Sequence, residues 1–250
     1  VKSTDGGTTW STMTSGVSAT LRSVSAADES YLWASGYGGT VLRSTNGGTS
    51  WTQQASGSSV ELFDVFALDR TTAWAVGGDD TLLRTTNGGS TWTNRTSAPM
   101  PDAGPTGVAA VDASRVYAST SYGDVWTSAD GGATWSALGP GTGLNRLRDI
   151  EVKGRFLGVV GDGQAMVSTD AGASWSSLGT PDYFTTGFSF VDAHTVFAGS
   201  DFGRIYDTDE TALLASQLPD YGGGNTFAAA ATNGVFGVCL QSLGGGASVA

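Results

Sequence analysis

Short apolar runs separated by glycine and polar turns recur along the whole chain in a fixed order. Each unit opens on a strand-like run that ends at an acidic turn: Leu21 to Asp28, Leu62 to Asp69, Gly107 to Asp112 and Thr185 to Asp192. An aromatic-centred run follows, as in Tyr31-Leu-Trp-Ala-Ser, Ala73-Trp-Ala-Val, Arg115-Val-Tyr-Ala-Ser and Thr195-Val-Phe-Ala-Gly. A third run (Thr40-Val-Leu-Arg, Thr81-Leu-Leu-Arg, Asp124-Val-Trp-Thr, Gln164-Ala-Met-Val, Arg204-Ile-Tyr-Asp) leads into a motif that closes on tryptophan. That motif reads Ser3-Thr-Asp-Gly-Gly-Thr-Thr-Trp10, Ser44-Thr-Asn-Gly-Gly-Thr-Ser-Trp51, Thr85-Thr-Asn-Gly-Gly-Ser-Thr-Trp92, Ser128-Ala-Asp-Gly-Gly-Ala-Thr-Trp135 and Ser168-Thr-Asp-Ala-Gly-Ala-Ser-Trp175. Its tryptophans are 41, 41, 43 and 40 residues apart, and a decayed sixth copy falls at Asp207-Thr-Asp209. Four short strands in every ~40 residues, with no helical period, predict an all-β propeller built of four-stranded blades. A solenoid would use shorter or helical repeats.

The pattern places blade starts near residues 20, 61, 105, 146, 184 and 225, all within one domain spanning 1–250. Reading Gly245-Gly-Ala-Ser-Val-Ala250 straight into Val1-Lys-Ser-Thr-Asp5 reproduces Gly38-Gly-Thr-Val-Leu-Arg-Ser-Thr-Asn46. The expectation is that N- and C-terminal strands share one blade, closing a ring of six and removing free sheet edges; an excerpt of a longer chain would allow seven.

Composition narrows the function. Twelve Lys+Arg against 23 Asp+Glu give a net charge of −11, so the chain lacks the basic surplus that neutralises nucleic-acid phosphates or anionic lipid headgroups. No apolar run is long enough to span a bilayer, which excludes membrane insertion by a helix. One cysteine, Cys239, excludes an internal disulfide framework and any CxxC metal site, and one histidine, His194, excludes a two-His site, so no metal or cofactor is expected. Cys239 reads as a small buried hydrophobe and His194 as a surface-turn residue. Two lysines, much Ser, Thr and Gly, and an opening at Val1 without Met suggest a bacterial secreted or cell-surface protein whose leader has been removed.

In the motif, an Asp or Asn side chain can bond backbone amides two residues on, glycine permits positive φ, and each Trp can bury ~150–250 Å² between blades. The expected structural set is therefore Asp5, Trp10, Asn46, Trp51, Asn87, Trp92, Asp130, Trp135, Asp170 and Trp175. Amides at Asn46 and Asn87 lack the charge for acid chemistry or firm calcium binding. Asp28, Asp69, Asp112 and Asp192 are expected to cap a common turn.

The motif resembles the Asp-box, or bacterial neuraminidase repeat, which in that family forms the hairpin between a blade's third and fourth strands. The whole unit is most similar to propellers related to the photosystem II stability and assembly factor. That resemblance implies the propeller fold and a non-catalytic role in binding a protein partner through an arginine-rich patch; here ten arginines are scattered among blades and the net charge argues against such a patch. Sialidases share the Asp-box and imply a carbohydrate alternative, with an arginine triad, a Tyr nucleophile, Glu and Asp. This chain has no Arg-Ile-Pro element, only Glu29, Glu61, Glu151 and Glu210, and blades of near-minimal length.

Aligning first strands on Val24, Val65, Val108, Ile150 and Phe188 puts Arg22 and Arg148 at one position and Asp64 and Asp149 at the next. First strands line a propeller's channel, so these four charges could form a polar binding site at its mouth, flanked by Arg146 and Glu151, or could pair with one another and channel water. Asp64 and Asp149 are also the one carboxylate pair to nominate for glycoside hydrolysis. Tyr183, Phe184 and Phe188 read as core, and the stretch Ala98 to Pro105 as a recognition loop or an inter-blade linker. The expected function is a binding or scaffold propeller for a protein partner; the alternatives are a lectin-like or hydrolytic carbohydrate-active protein, and a structural unit of a larger surface assembly.

Overall fold

The computed structural model describes residues 1–4, 9–95, 104–139, 141–162 and 164–177, and then the strand paths 185–190, 196–200, 205–208, 215–217, 225–232 and 235–241. Blade one consists of Leu21–Ala26, Leu32–Gly36, Val41–Ser44 and Thr52–Gln54. Blade two consists of Leu62–Ala67, Ala73–Gly77, Thr81–Thr85 and Thr93–Asn94. Blade three runs Pro105–Ala110, Val116–Thr120, Val125–Ser128 and Ser136–Ala137, and blade four Asp149–Lys153, Phe156–Gly161, Gln164–Ser168 and Ser176–Ser177. Blade five comprises Thr185–Phe190, Val196–Ser200, Ile205–Thr208 and Ala215–Gln217, and blade six begins with Asn225–Thr232 and Val235–Gln241. Within each blade the strands pair antiparallel in chain order. Pro105 opens a strand, where its missing N–H leaves no ladder bond unmade.

The six first strands follow one another round a ring, each packed on the next, and the first strand of blade six lies against that of blade one. Lys2 and Ser11 exchange two backbone hydrogen bonds of 2.8 Å. Arg43 and Thr52 pair in the same way across the motif of blade one. The N-terminal hairpin thus has the form of a third and fourth strand, and Lys2 Nζ donates to Gly47 O at 2.7 Å, tying it to blade one. Residues 242–250 lie outside the described part, as do the side chains of Cys239 and Phe188 and all of Asp5, His194, Asp192, Tyr183 and Phe184. The stretch 96–103 and the decayed motif copy at Asp209 also lie outside it. Among the described residues no helix is long and apolar enough to cross a membrane.

The core is a set of apolar layers between blades. Trp33, Val41, Leu62, Val65, Ala73 and Leu83 join blades one and two. Trp74, Leu82, Val108, Val116 and Trp135 join two and three, and Tyr117, Leu147, Ile150, Leu157 and Val159 join three and four. In each layer the aromatic of one blade's second strand meets the motif tryptophan of the next: Trp33 with Trp92, Trp74 with Trp135, Tyr117 with Trp175. The first pair is edge-to-face, with centroids 5.5 Å apart and planes at 89°, an arrangement the ring quadrupoles favour. Trp51 and Trp10 are half-buried.

Candidate functional site

The motif holds its own hairpin through a repeated set of hydrogen bonds. Its first hydroxyl is buried: Ser44, Thr85, Ser128 and Ser168 are each 1–2% exposed. That hydroxyl donates to the Asn or Asp Oδ1 two residues on (3.0, 3.1, 2.8 and 2.7 Å) and accepts the amide of Gly48, Gly89, Gly132 or Gly172 (2.8, 2.9, 2.8 and 2.7 Å). The same Oδ1 accepts the amide of Ser50, Thr91, Thr134 or Ser174, four residues on rather than the two expected from a simple side-chain-capped turn. Amide and carboxylate are interchangeable because the neighbouring hydroxyl rotates. Asn46 and Asn87 donate Nδ2 to Ser50 and Thr91, whereas Thr134 and Ser174 donate to Asp130 and Asp170. The hydroxyl of Ser174, with that of Ser168, holds Asp170 down to about 2, and that of Thr134 depresses Asp130 further. The two-residue cap expected of the acidic turns is present at Asp28, Asp69 and Asp112, whose Oδ1 atoms accept the amides of Ser30, Thr71 and Ser114.

At the channel, first strands are sheet edges with amides aimed away from their own blade, and these amides must find partners. Asp64 supplies them. Its Oδ1 accepts Ser23 Oγ of blade one at 2.6 Å and its own neighbour Val65 N at 2.8 Å, and its Oδ2 accepts Val108 N of blade three at 2.9 Å. One carboxylate therefore ties three blades. Desolvation nevertheless pushes its pKa up. Ser25 Oγ accepts Ala67 N at 3.0 Å in the same manner, and Asp149 Oδ1 accepts Ile150 N at 2.8 Å. Glu151, one residue further along blade four, is pushed up to about 8 by desolvation and then by the charge of Asp64, so it holds its proton at neutral pH.

Arg22 goes to different partners from those of Asp64. Its Nε pairs with Glu61 of blade two, its Nη2 donates to Tyr37 Oη at 2.8 Å, and its guanidinium lies 4.9 Å from the Tyr37 ring centre. Arg146 and Arg148 are exposed ahead of the first strand of blade four. Arg22 and Asp64 are thus engaged separately, Arg22 with Glu61 and Tyr37, Asp64 with Ser23 and Val108. Glu61 and Ser23 are partners that strand alignment on the apolar positions had not singled out; Ser23 shares the Asp64 register, which was the available signal. Tyr37 and Tyr122, 43% and 69% exposed, stand on the turns between second and third strands at this face. Among the described residues no three His, Cys, Asp or Glu come together to hold a metal.

The family model of the photosynthesis system II assembly factor YCF48 matches residues 2–177. The chain belongs to that family. Among solved structures, YCF48 bound to D1 peptide is similar at a TM-score of 0.59 and 17% identity, over 91% of each chain. YCF48 from Cyanidioschyzon merolae is similar at 0.64 and 18%, over 85% of this chain and 76% of that one. An ancestral GH74 enzyme is similar at 0.66 and 15%, but this chain, 90% covered, spans only 34% of it. These likenesses establish the propeller fold. No curated protein sequence matches the chain.

Proposed function

We propose that this protein is a non-catalytic binding propeller of a bacterial cell envelope that holds an extended segment of a protein partner across the channel-mouth face. The observation that carries this reading is the pair of exposed tyrosines, Tyr37 and Tyr122, raised on equivalent turns of blades one and three. Tyrosine offers large contact area at small entropy cost, and the Arg22 guanidinium on Tyr37 shows that the ring accepts a cation or planar group. Membership of the assembly-factor family supports a protein partner, as does the D1 peptide on the solved YCF48 relative. The bonding of Asp64 favours structure over hydrolysis: both oxygens already accept hydrogen bonds that hold neighbouring strands.

The test is an array of overlapping envelope-protein peptides probed with the wild-type chain and with Tyr37→Ala/Tyr122→Ala. The reading expects a few peptides to bind, with affinity about tenfold weaker for the double variant. Equal binding by both proteins would place the site elsewhere, and binding only to a parallel glycan array would replace the reading with a carbohydrate one.

A further inference from the structure

Blade two turns two arginines toward blade three. Arg84 pairs with Thr93 across the third and fourth strands, and Arg95 N donates to Leu82 O at 2.7 Å just beyond that pair. Opposite residues of an antiparallel pair share a face, as do residues two apart on one strand. Leu82, Arg84 and Arg95 are therefore on one face, the one on which Leu82 packs with Trp74 and Trp135. Arg84 is fixed there: its guanidinium lies 5.1 Å from the Trp74 ring centre, and its Nη2 donates to Ala113 O at 2.8 Å. Both arginines are half-buried, and the Nε of each is enclosed with no hydrogen-bond acceptor among the described residues. Burial lowers the Arg84 pKa, and the nearby charge of Arg95 lowers it further. Asp130 acts on Arg84 in the opposite sense, but its oxygens are already committed. Its Oδ1 accepts Ser128 Oγ and the amides of Ala133 and Thr134, and its Oδ2 accepts Thr134 Oγ1.

The neighbouring boundaries use the Arg95 position differently. Gln54 pairs with Val41 there in blade one, and Leu138 N donates to Val125 O there in blade three. Each of these side chains covers the second glycine of the next motif: a Cβ on Gly89 would lie 2.5 Å from Gln54 Oε1, and one on Gly172 would collide with Leu138. At Gly132 the nearest atoms to such a Cβ belong to Leu82 and Trp135 at 3.4 Å and to Trp74 at 3.8 Å, so Arg95 does not close that space. It stands within electrostatic reach of Arg84 instead. Two like charges held together in a partly dry setting repel unless an anion joins them. We propose that Arg84 and Arg95 form a binding site for a phosphate group on the motif side of the boundary between blades two and three. Planar guanidinium forks match phosphate oxygens in bidentate pairs. A phosphate monoester carries about −1.5 to −2 charges at neutral pH and so balances two arginines, where a carboxylate balances one. The inference is independent of what the mouth binds, since Ala113 and the Asp130 motif lie on turns of the opposite face.

Titration of the full chain with inorganic phosphate at constant ionic strength, followed on the arginine Nε–Hε resonances, tests this. Arg84 and Arg95 should shift together and saturably while Arg43, beside Gln54, stays still. Arg95→Gln gives blade two the residue that blade one carries in the same place, and should weaken phosphate about tenfold or more. Methyl phosphate competing for the same shifts would mark an esterified phosphoryl group as the ligand, and failure to compete would mark free phosphate; the site stands in either case. No saturable shift, the same shift from acetate, or unchanged affinity in the folded variant would overturn the proposal. If Arg95→Gln does not fold, the wild-type resonances decide: phosphate that moves Arg43 as much as Arg84 and Arg95 is screening charge, and the site is rejected.

Discussion

Single residues of this propeller carry either a turn or a junction, and their substitutions separate the two. Ser128→Ala removes a buried hydroxyl that both donates and accepts, leaving the Gly132 amide without its partner. The expected loss is about 1–3 kcal/mol in urea unfolding. Gly131→Ala should cost about 1–3 kcal/mol, since it forces a Cβ into positive φ against Arg84. Ala171→Gly should instead gain about 0.5–1 kcal/mol by relieving the same backbone where no arginine intrudes. Both changes favour glycine at this motif position, and a Gly131→Ala cost larger than the Ala171→Gly gain in the same titration would be the share due to Arg84. Glu151 gives a pH effect of its own. Its folded pKa of about 8 lies above the ordinary ~4.3 of an unfolded glutamate, so the folded state holds a proton over that window and loses stability as pH rises through it. Glu151→Gln should flatten the fall in Tm between about pH 5 and 9; an unchanged slope would place the group in a more hydrated setting.

Strands and turns show how much of the architecture the repeat made legible. Blade starts expected near 20, 61, 105, 146, 184 and 225 are found at Leu21, Leu62, Pro105, Asp149, Thr185 and Asn225. They could be read because alternation and glycine punctuation are local properties, copied in each unit. The reach of the motif carboxyl was misjudged because two consecutive positive-φ glycines, such as Gly131 and Gly132, fold the loop back so that the amide four residues on faces it. The bonds from Arg43 to Arg70 O and from Arg84 to Ala113 O were hidden for another reason. Lys2, Arg43 and Arg84 share a register visible in the sequence, but their targets belong to the next blade, and only the ring brings them together. Asp64 is the junction where this matters most. Asp64→Asn would set an amide N–H against the Val65 or Val108 N–H, and the expected cost is about 1–3 kcal/mol in denaturant unfolding.

The whole molecule is a ring whose outer-face carboxylates are tuned to stay ionised. Ser114 holds Asp112 down to about 2, and Ser174 does the same for Asp170. Each contributes stability that is present above the ordinary carboxylate range and is lost as pH falls from about 4 to about 2. Acid unfolding followed by circular dichroism should therefore fall within that interval, and Asp170→Asn, whose amide can still serve the turn as Asn46 does, should narrow the loss. The channel-mouth face was legible only in part: charged positions on first strands could be aligned, whereas Tyr37 and Tyr122 sit on turns of different sequence and become a pair only when the ring sets them on one side.

The most direct test of the binding account is photo-crosslinking in envelope extracts from a benzophenone amino acid placed at Tyr122 on the mouth face, and separately at Thr49 in an exposed motif turn of the opposite face. The account predicts one dominant protein adduct from position 122, mapped to a short peptide, and none from position 49. The same adducts from both positions, or none from position 122, would contradict it.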